Sequence, residues 1–290
     1  MARTPVASTD VERVAHERRE RTTDLVAVEE PLQIILEYGA DHARRETPLA
    51  VTMRTPGHDV DLVTGFLYGE GVISGPEDLI HIRHCAQSET PDNVVRAVLR
   101  DHAVVPQRLL ERNLTVTSAC GVCGERTLDA LSKEGCSRIA IEESSLHPDA
   151  IRQALASLEG SQPFFRHTGG THGAALFDWQ GALLLHREDV GRHNALDKLV
   201  GAWLQSPRMS KDAFVVVSSR ASFELVQKTV RAGFPMLVAI GAASSLAIET
   251  AKRFDLTLVG FARERRFNVY ARAERIALEA AHDFTEAEAG

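Results

Sequence analysis

Two cysteines that stand two residues apart are the part of the sequence best suited to chemistry. Cys120 and Cys123 lie in residues 118–124, which read Ser-Ala-Cys-Gly-Val-Cys-Gly. The glycines allow backbone amides to turn towards the sulfur atoms. We predict a helix that begins near Arg126, and its positive end would favour ionisation of a nearby thiol. The segment is therefore a candidate site for a reactive thiolate.

This pair of thiols is open to four interpretations. It could belong to a structural zinc site, although zinc usually takes four ligands and the sequence has no second CxxC pair. It could be a thioredoxin-type redox pair, although it lies far into the chain. It could be incidental, or a thiolate of lowered pKa could take sulfur from a donor persulfide and pass it on. The other two cysteines, Cys85 and Cys136, have no such surroundings, and we expect both to be buried in the core.

Four polar segments interrupt the apolar pattern of the second half of the chain. The last three follow predicted strands, and two of them begin helices. Ligands of open α/β sheets bind at such strand ends, where free amides and Ser and Arg side chains suit phosphate oxygens. The alternative is that the serines cap helices and the arginines are solvated. We favour a site for an anionic, nucleotide-like ligand formed by residues 166–173, 187–194, 218–222 and 261–268.

The order of the predicted elements indicates an α/β fold. Hydrophobic periodicity predicts strands at residues 32–38, 49–53, 94–99 and 114–117, and helices at residues 59–69 and 126–131. Later helices are predicted at residues 149–158, 192–204, 223–231 and 245–253, and strands at residues 174–177, 182–185, 214–217, 236–240, 256–260 and 267–270. This alternation predicts an open sheet, parallel in its second part, with helices on its faces, as in the cytidine-deaminase-like arrangement.

Three regions follow from this pattern. Residues 1–24 are polar and are expected to form a flexible tail. Residues 25–143 are expected to form a smaller N-terminal α+β lobe that carries the cysteine pair. Residues 144–290 are expected to form a cytidine-deaminase-like, three-layer α/β/α domain that binds the nucleotide-like ligand as a cofactor-binding domain.

Zinc-dependent deamination is not supported by the motifs. That chemistry needs His-x-Glu at one helix start and Pro-Cys-x-x-Cys at the next. His186-Arg187-Glu188 fits the first string, but the helix after residues 218–220 has no cysteine, and the CxxC pair far upstream lacks the preceding proline. We therefore predict no resident metal ion.

Composition excludes several classes of protein. The chain has 290 residues, 44% of them hydrophobic, with 33 basic and 40 acidic residues and a formal net charge of −7. That balance argues against a general nucleic-acid or membrane-surface binder, and four cysteines are too few for a disulfide scaffold. Residues 1–26 lack an apolar leader segment, and the longest uncharged stretch, residues 232–248, is too short to span a membrane. We expect a cytoplasmic protein.

Taken together, these segments resemble the formate dehydrogenase accessory sulfurtransferase (FdhD) family. The resemblance extends over roughly residues 25–275 and depends on five motifs that occur in the family's order. The motifs lie at residues 65–71, 120–124, 188–198, 220–224 and 266–270.

The resemblance implies a function in sulfur transfer. Members receive sulfur from a cysteine desulfurase as a cysteine persulfide. They deliver it to the molybdenum or tungsten centre of the bis(molybdopterin guanine dinucleotide) cofactor of formate dehydrogenase. Cys120 aligns with the persulfide cysteine and Cys123 with its partner, and the resemblance also implies a homodimer that binds guanine nucleotides such as GDP as cofactor mimics. A non-enzymatic cofactor-binding chaperone and a thiol–disulfide oxidoreductase remain alternative functions.

Two sources supply the candidate cofactor-binding residues. The family's cofactor-binding segment aligns with Phe261, Ala262, Arg263, Glu264, Arg265 and Arg266. The other polar segments add His167, Thr168, Gly169, Arg192, His193, Asn194, Ser218, Ser219 and Arg220.

Overall fold

The computed structural model describes residues 4–86, 88–110, 136–139, 145–206 and 212–277. Cys120 and Cys123 lie outside these residues, as do the strand predicted at residues 114–117 and the helix predicted at residues 126–131. Along the described residues, no helix has both the length and the apolar character required to cross a membrane.

The N-terminal residues form a β-hairpin, so the prediction of a flexible tail at residues 1–24 is wrong for most of that range. Strands β1 (Val6–Ala15) and β2 (Arg18–Ala27) pair antiparallel along their whole length. The turn residues His16 and Glu17 both have positive φ, as a tight two-residue hairpin loop requires. The charged residues that indicate disorder along the sequence face opposite charges across the strands, as Glu12 faces Arg21.

A four-stranded sheet follows the hairpin. Its strands are β3 (Glu30–Tyr38), β4 (Arg45–Arg54), β5 (Leu79–His84) and β6 (Val94–Leu99), in the order β4-β3-β6-β5. Alternate residues of β3 point into a core that helix α1 (Asp59–Gly69) covers. The strands predicted at residues 32–38, 49–53 and 94–99 and the helix at residues 59–69 are confirmed. Strand β5 and the short helix α2 (Gln107–Leu110) were not predicted.

The second half forms a six-stranded sheet in the order β12-β11-β10-β9-β7-β8. The three central strands β9, β10 and β11 are parallel, which confirms the predicted parallel part, whereas β7, β8 and β12 pair antiparallel with their neighbours. The strands are β7 (His172–Asp178), β8 (Leu183–Asp189), β9 (Ala213–Val217), β10 (Met236–Ala239), β11 (Thr257–Gly260) and β12 (Asn268–Ala271). The helices are α3 (Pro148–Gly160), α4 (Pro163–Thr168), α5 (Arg192–Leu204), α6 (Phe223–Ala232) and α7 (Ser245–Arg253).

Helices cover both faces of this sheet, because its central strands are apolar on both sides. In β9, Val215 packs on one face against α5, α6 and α7, and Phe214 packs on the other face against α3. The fold is therefore mixed α/β, and its described residues form three sheets: the two-stranded hairpin, the four-stranded sheet and the six-stranded sheet. Among the described α-helices of this half, α4 is the one that the sequence did not predict.

Two of the cysteines fall within the described residues. Cys136 is buried in the core, as expected. Cys85 is only half-buried, so the expectation that it lies in the core is wrong. It directly follows β5, an edge strand of the four-stranded sheet, and within the described residues no strand pairs with the outer side of β5.

Helix α1, which covers the four-stranded sheet, crosses α5 of the six-stranded sheet at very close range and so connects these two sheets. A Cβ atom on Gly65 would lie 1.9 Å from the carbonyl oxygen of Asp197, and one on Gly201 would lie 1.9 Å from that of Asp61. Both distances are far below a van der Waals contact, so the crossing requires glycine on each helix.

We expect Gly65→Ala and Gly201→Ala each to lower the free energy of unfolding by about 1–3 kcal/mol or more, since the added methyl group forces the two helices apart. Urea denaturation measures this change. Gly160→Ala, at the open end of α3 where nothing lies within 4 Å of the added atom, is the matched control. Equal stability of all three variants would contradict the close crossing.

Candidate functional site

A cleft of about 730 Å³ opens at the carboxyl ends of the parallel strands. Helix α3 forms one wall, and the segment that leads from α4 into β7 forms the second. The loops after β9, β10 and β11 form the floor, through Ser218, Ile240 and residues 262–264. Both the volume and the position are typical of a ligand site in an open α/β sheet.

Three of the four predicted polar segments meet in this cleft. Gly169 comes from the first segment, Ser218 from the third, and Ala262, Arg263 and Glu264 from the fourth. His167 and Thr168 lie on α4, directly before this wall. Residues that are far apart in sequence are therefore brought to one cavity.

Backbone contacts hold the loop after β11 against the floor of the cleft. The Phe261 amide donates to the carbonyl oxygen of Gly241, and the Ala262 amide donates to that of Ala239. The Arg263 guanidinium donates to the carbonyl oxygen of Ile240 at 2.6 Å, which fixes this cation beside the cavity. The remaining residues of the segment, Arg265 and Arg266, are exposed and are not among the residues that line the cleft.

The cleft is not uniformly basic. Arg152 and Arg263 bring two positive charges, and Glu159 and Glu264 bring two negative charges. Apolar side chains, Leu155, Phe165 and Ile240 among them, complete the walls. This mixture suits a ligand that has both a flat ring system and charged groups.

Sequence reasoning missed the contribution of α3 to the cleft. Its hydrophobic periodicity predicts a helix that packs on the sheet, but Leu155, Ala156 and Glu159 face the cavity. Periodicity alone does not distinguish a helix surface that contacts the sheet from one that lines a cleft. Gln162 was also missed. Its side-chain nitrogen donates to the carbonyl oxygen of Leu158. Its side-chain oxygen packs so closely on Gly173 that a Cβ atom at that position would lie only 2.5 Å from it.

The candidates at the start of α5 lie beside the cleft rather than in its lining. Asn194 is buried, and its side-chain amide donates to the backbone oxygen of Met53 at 2.7 Å. His193 Nε2 lies 3.1 Å from the Glu224 carboxylate and 3.4 Å from the Ser222 hydroxyl. Asn194 thus connects the two sheets, whereas His193 contacts α6.

Burial and the positive charge of Arg192 lower the pKa values of two nearby histidines. Burial, Arg192, Lys228 and His172 lower the pKa of His193 from its usual 6.5 to about 3. Burial and Arg192 also lower the pKa of His172, which lines the cleft. Both imidazoles are neutral at pH 7, so they can exchange hydrogen bonds with a ligand but supply no positive charge to a phosphate.

Two further candidates follow β9. Ser219 is buried, and its hydroxyl donates to the carbonyl oxygen of Arg220. The Arg220 side chain is exposed, and its backbone packs tightly against Gly241. Neither residue is part of the cleft lining, so their participation in cofactor binding stays a prediction.

The structure offers no support for a deaminase-type metal centre in the described part of the chain. There, no group of three or more His, Cys, Asp or Glu side chains is placed to hold a metal ion. His186 and Glu188 lie on strand β8 rather than at a helix start.

The lowered pKa of His193 predicts a pH dependence of stability. The unfolded chain binds a proton at this imidazole below about pH 6.5, whereas the folded protein resists protonation down to about pH 3. Acidification therefore favours unfolding, by up to about 1.4 kcal/mol per pH unit from this group between these limits. The Glu224 carboxylate, 3.1 Å from His193 Nε2, favours the protonated imidazole, but burial and the neighbouring cations still hold the pKa of His193 low.

When the pH falls from 6.5 to 5, we expect the free energy of unfolding to decrease by about 1–2 kcal/mol more in the wild type than in His193→Gln. Urea denaturation at the two pH values measures this difference. Asp197, whose pKa burial raises to about 6, acts with the opposite sign but is present in both proteins. His42→Gln, at an exposed position, is the control. Parallel stability curves for wild type and His193→Gln would contradict this prediction.

Comparison with known proteins agrees on one family. The model of the FdhD/NarQ family matches residues 27–277. A Streptomyces avermitilis protein named sulfur carrier protein FdhD is 45% identical over 266 residues, which is 89% of this chain and 91% of the relative. A Nocardia farcinica protein of the same name is 42% identical over 257 residues, covering 88% and 89% of the two chains.

A solved structure is also similar over most of its length. It comes from Desulfotalea psychrophila and is described as a formate dehydrogenase accessory protein. The two chains superpose with a TM-score of 0.72 at 25% identity, over 94% of this chain and 100% of the other.

Proposed function

This chain belongs to the FdhD/NarQ family, and on that basis we propose that it is a sulfurtransferase that carries sulfur for the maturation of formate dehydrogenase. The donor is a cysteine desulfurase in the cytoplasm, where thiols stay reduced. The acceptor substrate is the molybdenum bis(molybdopterin guanine dinucleotide) cofactor. The second half of the chain takes the cytidine-deaminase-like arrangement in this proposal.

Cys120 carries the sulfur as a persulfide. Its thiolate attacks the terminal sulfur of the donor persulfide, so one S–S bond forms on Cys120, one breaks on the donor, and the donor leaves as a thiolate. The Cys123 thiolate can then attack Cys120 Sγ. This step forms a Cys120–Cys123 disulfide and releases the terminal sulfur as hydrosulfide, so the two thiols supply both electrons for its reduction.

The cleft binds the guanine nucleotide portion of the cofactor. One observation carries this assignment: candidates from three separate polar segments, including Arg263 of the cofactor-binding segment, line a single cavity. The apolar walls suit the base, and Arg263 suits a phosphate oxygen. A cavity of about 730 Å³ suits one nucleotide arm of a two-armed cofactor, which favours a homodimer with one cleft for each arm.

We expect Cys120→Ala to abolish sulfur loading because it removes the acceptor thiolate. The protein is incubated with cysteine and a cysteine desulfurase, and intact mass spectrometry then detects bound sulfur that a reductant removes. Cys85→Ala is the matched control, since this thiol lies outside the CxxC pair and we expect normal loading. Unchanged loading in Cys120→Ala would exclude this residue as the carrier.

The same variants separate the alternative functions. A Cys120→Ala/Cys123→Ala protein that still activates formate dehydrogenase fully would identify a cofactor-binding chaperone instead. A Cys120–Cys123 disulfide that cycles with a substrate, without any bound sulfur, would identify a thiol–disulfide oxidoreductase.

We expect Arg263→Ala to weaken GDP binding about 10- to 150-fold, because a charge-assisted hydrogen bond contributes about 1.5–3 kcal/mol. Isothermal titration calorimetry measures the affinity. Arg263→Lys keeps the charge and should lose less, and Lys252→Ala, on the last turn of α7, is the control for net charge. Equal GDP affinity in wild type and Arg263→Ala would place the nucleotide elsewhere.

A further inference from the structure

Glu188 is a buried carboxylate that contacts the cleft wall from behind. It lies near the end of β8, and its side chain is fully excluded from solvent. Its carboxylate accepts three hydrogen bonds: from the Phe164 amide at 3.0 Å, from the Phe165 amide at 2.8 Å and from the Thr171 hydroxyl at 2.9 Å. Glu188 belongs to the polar segment at residues 187–194 that was predicted to contribute to an anion site, but its own carboxylate faces the protein interior.

These three donors lie at the two ends of one segment, residues 164–171. The middle of the segment is bonded to itself: the Gly169 amide donates to the carbonyl oxygen of Phe165, and the Gly170 amide donates to the Thr168 hydroxyl. Residues 164–171 therefore form a compact unit that supplies Phe165, Gly169, Gly170 and Thr171 to the cleft. One carboxylate ties both ends of this unit to the sheet.

The charge of Glu188 is stabilised by these donors rather than by a salt bridge. The Lys198 ammonium approaches the backbone oxygen of Glu188 at 3.4 Å but pairs with the neighbouring carboxylate of Asp189. His186 Nε2 is 3.9 Å away, and burial lowers the pKa of that imidazole. Two amides at the start of α4 therefore carry the interaction, as is favourable for an anion at the positive end of a helix.

We propose that Glu188 is a positioning residue for the nucleotide cleft: by holding residues 164–171 at both ends, it sets the distance between this wall and helix α3. The proposal rests on the proposed function of the cleft as a nucleotide site. Glu188 does not touch the ligand. It acts through Phe165 and residues 169–171, which do.

Glu188→Gln tests this role with almost no change of volume. An amide can accept hydrogen bonds through its oxygen, but its NH₂ group faces a backbone donor where the carboxylate accepted, so the hydrogen bond from either Phe164 or Phe165 is lost and this end of the segment is held less firmly. We expect GDP affinity to fall roughly tenfold or more. Sulfur loading of Cys120, measured in the same preparation, should stay within about twofold of wild type, since loading does not use the cleft.

Thr171→Val releases the other end of the segment without disturbing a charge. We expect a smaller loss of GDP affinity, about three- to tenfold, because the Thr171 hydroxyl gives only one of the three hydrogen bonds that the carboxylate accepts and both backbone amides remain bonded. Thr250→Val is the matched control. It removes an equally buried hydroxyl, which donates to Leu246 within α7, and GDP affinity should not change.

Hydrogen exchange provides a readout that is independent of ligand binding. In Glu188→Gln without ligand, the amides of Phe164 and Phe165 should exchange faster, while those of β9, β10 and β11 keep their protection. Unchanged exchange at residues 164–171, or unchanged GDP affinity in both variants, would overturn the proposal. So would faster exchange throughout the sheet together with loss of sulfur loading, since that is general destabilisation.

Failure of the proposed function would look different. Wild-type protein that does not bind GDP would remove the nucleotide assignment, and the exchange experiment on residues 164–171 would still decide whether Glu188 positions this wall.

Discussion

The buried ion pair between Lys198 and Asp189 is the contact on which the arrangement of the two sheets depends. The two charged groups lie 2.7 Å apart, and neither side chain has appreciable exposure. Both also bond the backbone of Thr55: the ammonium donates to its oxygen at 2.8 Å, and the carboxylate accepts from its amide at 3.1 Å. Removing one partner of such a pair leaves a buried charge, at a cost of about 3–5 kcal/mol. Thr55 lies just before α1, and Lys198 lies on α5. The ion pair therefore fixes how α1 is oriented on α5, while Gly65 and Gly201 allow the two helices to approach closely.

The alternation of side chains along β8 lets one short motif serve two purposes. Neighbouring residues of a strand point to opposite faces, so Asp189 faces the junction with the first sheet, and Glu188 faces the segment that forms the cleft wall. Asn194, five residues after Asp189, contacts the same carboxylate and reaches Met53. Asn194, which the sequence predicts to bind the cofactor, and Asp189 therefore both contact the first sheet and help to hold the scaffold. The cleft acquires its polar groups from other loops.

The elements that were predicted correctly from the sequence are those whose hydrophobic pattern follows from the burial of their own residues. The alternation at residues 32–38 and the uniformly apolar strand at residues 214–217 depend on local burial alone, so each is readable without knowledge of its neighbours. The hairpin was missed because its pairs, such as Glu12 opposite Arg21, depend on register between strands. The contact between Asn194 and Met53 joins residues 141 positions apart, and α3 uses one surface for the core and another for the cleft. No local pattern carries that information.

The net charge of the chain and the residues that line the cleft affect ligand binding in different ways. A net charge of −7 disfavours polyanions in general, because long-range repulsion acts on any of them. The cleft itself contributes two arginines and two glutamates, and its neighbouring histidines are neutral, so it has little excess positive charge with which to attract an anion from a distance. Discrimination among ligands must then come from contacts made inside: apolar walls for a ring, and Arg263 at one fixed position for an oxygen. Ligand affinity in such a site depends more on the distance between its walls than on long-range electrostatic attraction. For this reason we expect a buried carboxylate that holds one wall at both ends to affect binding.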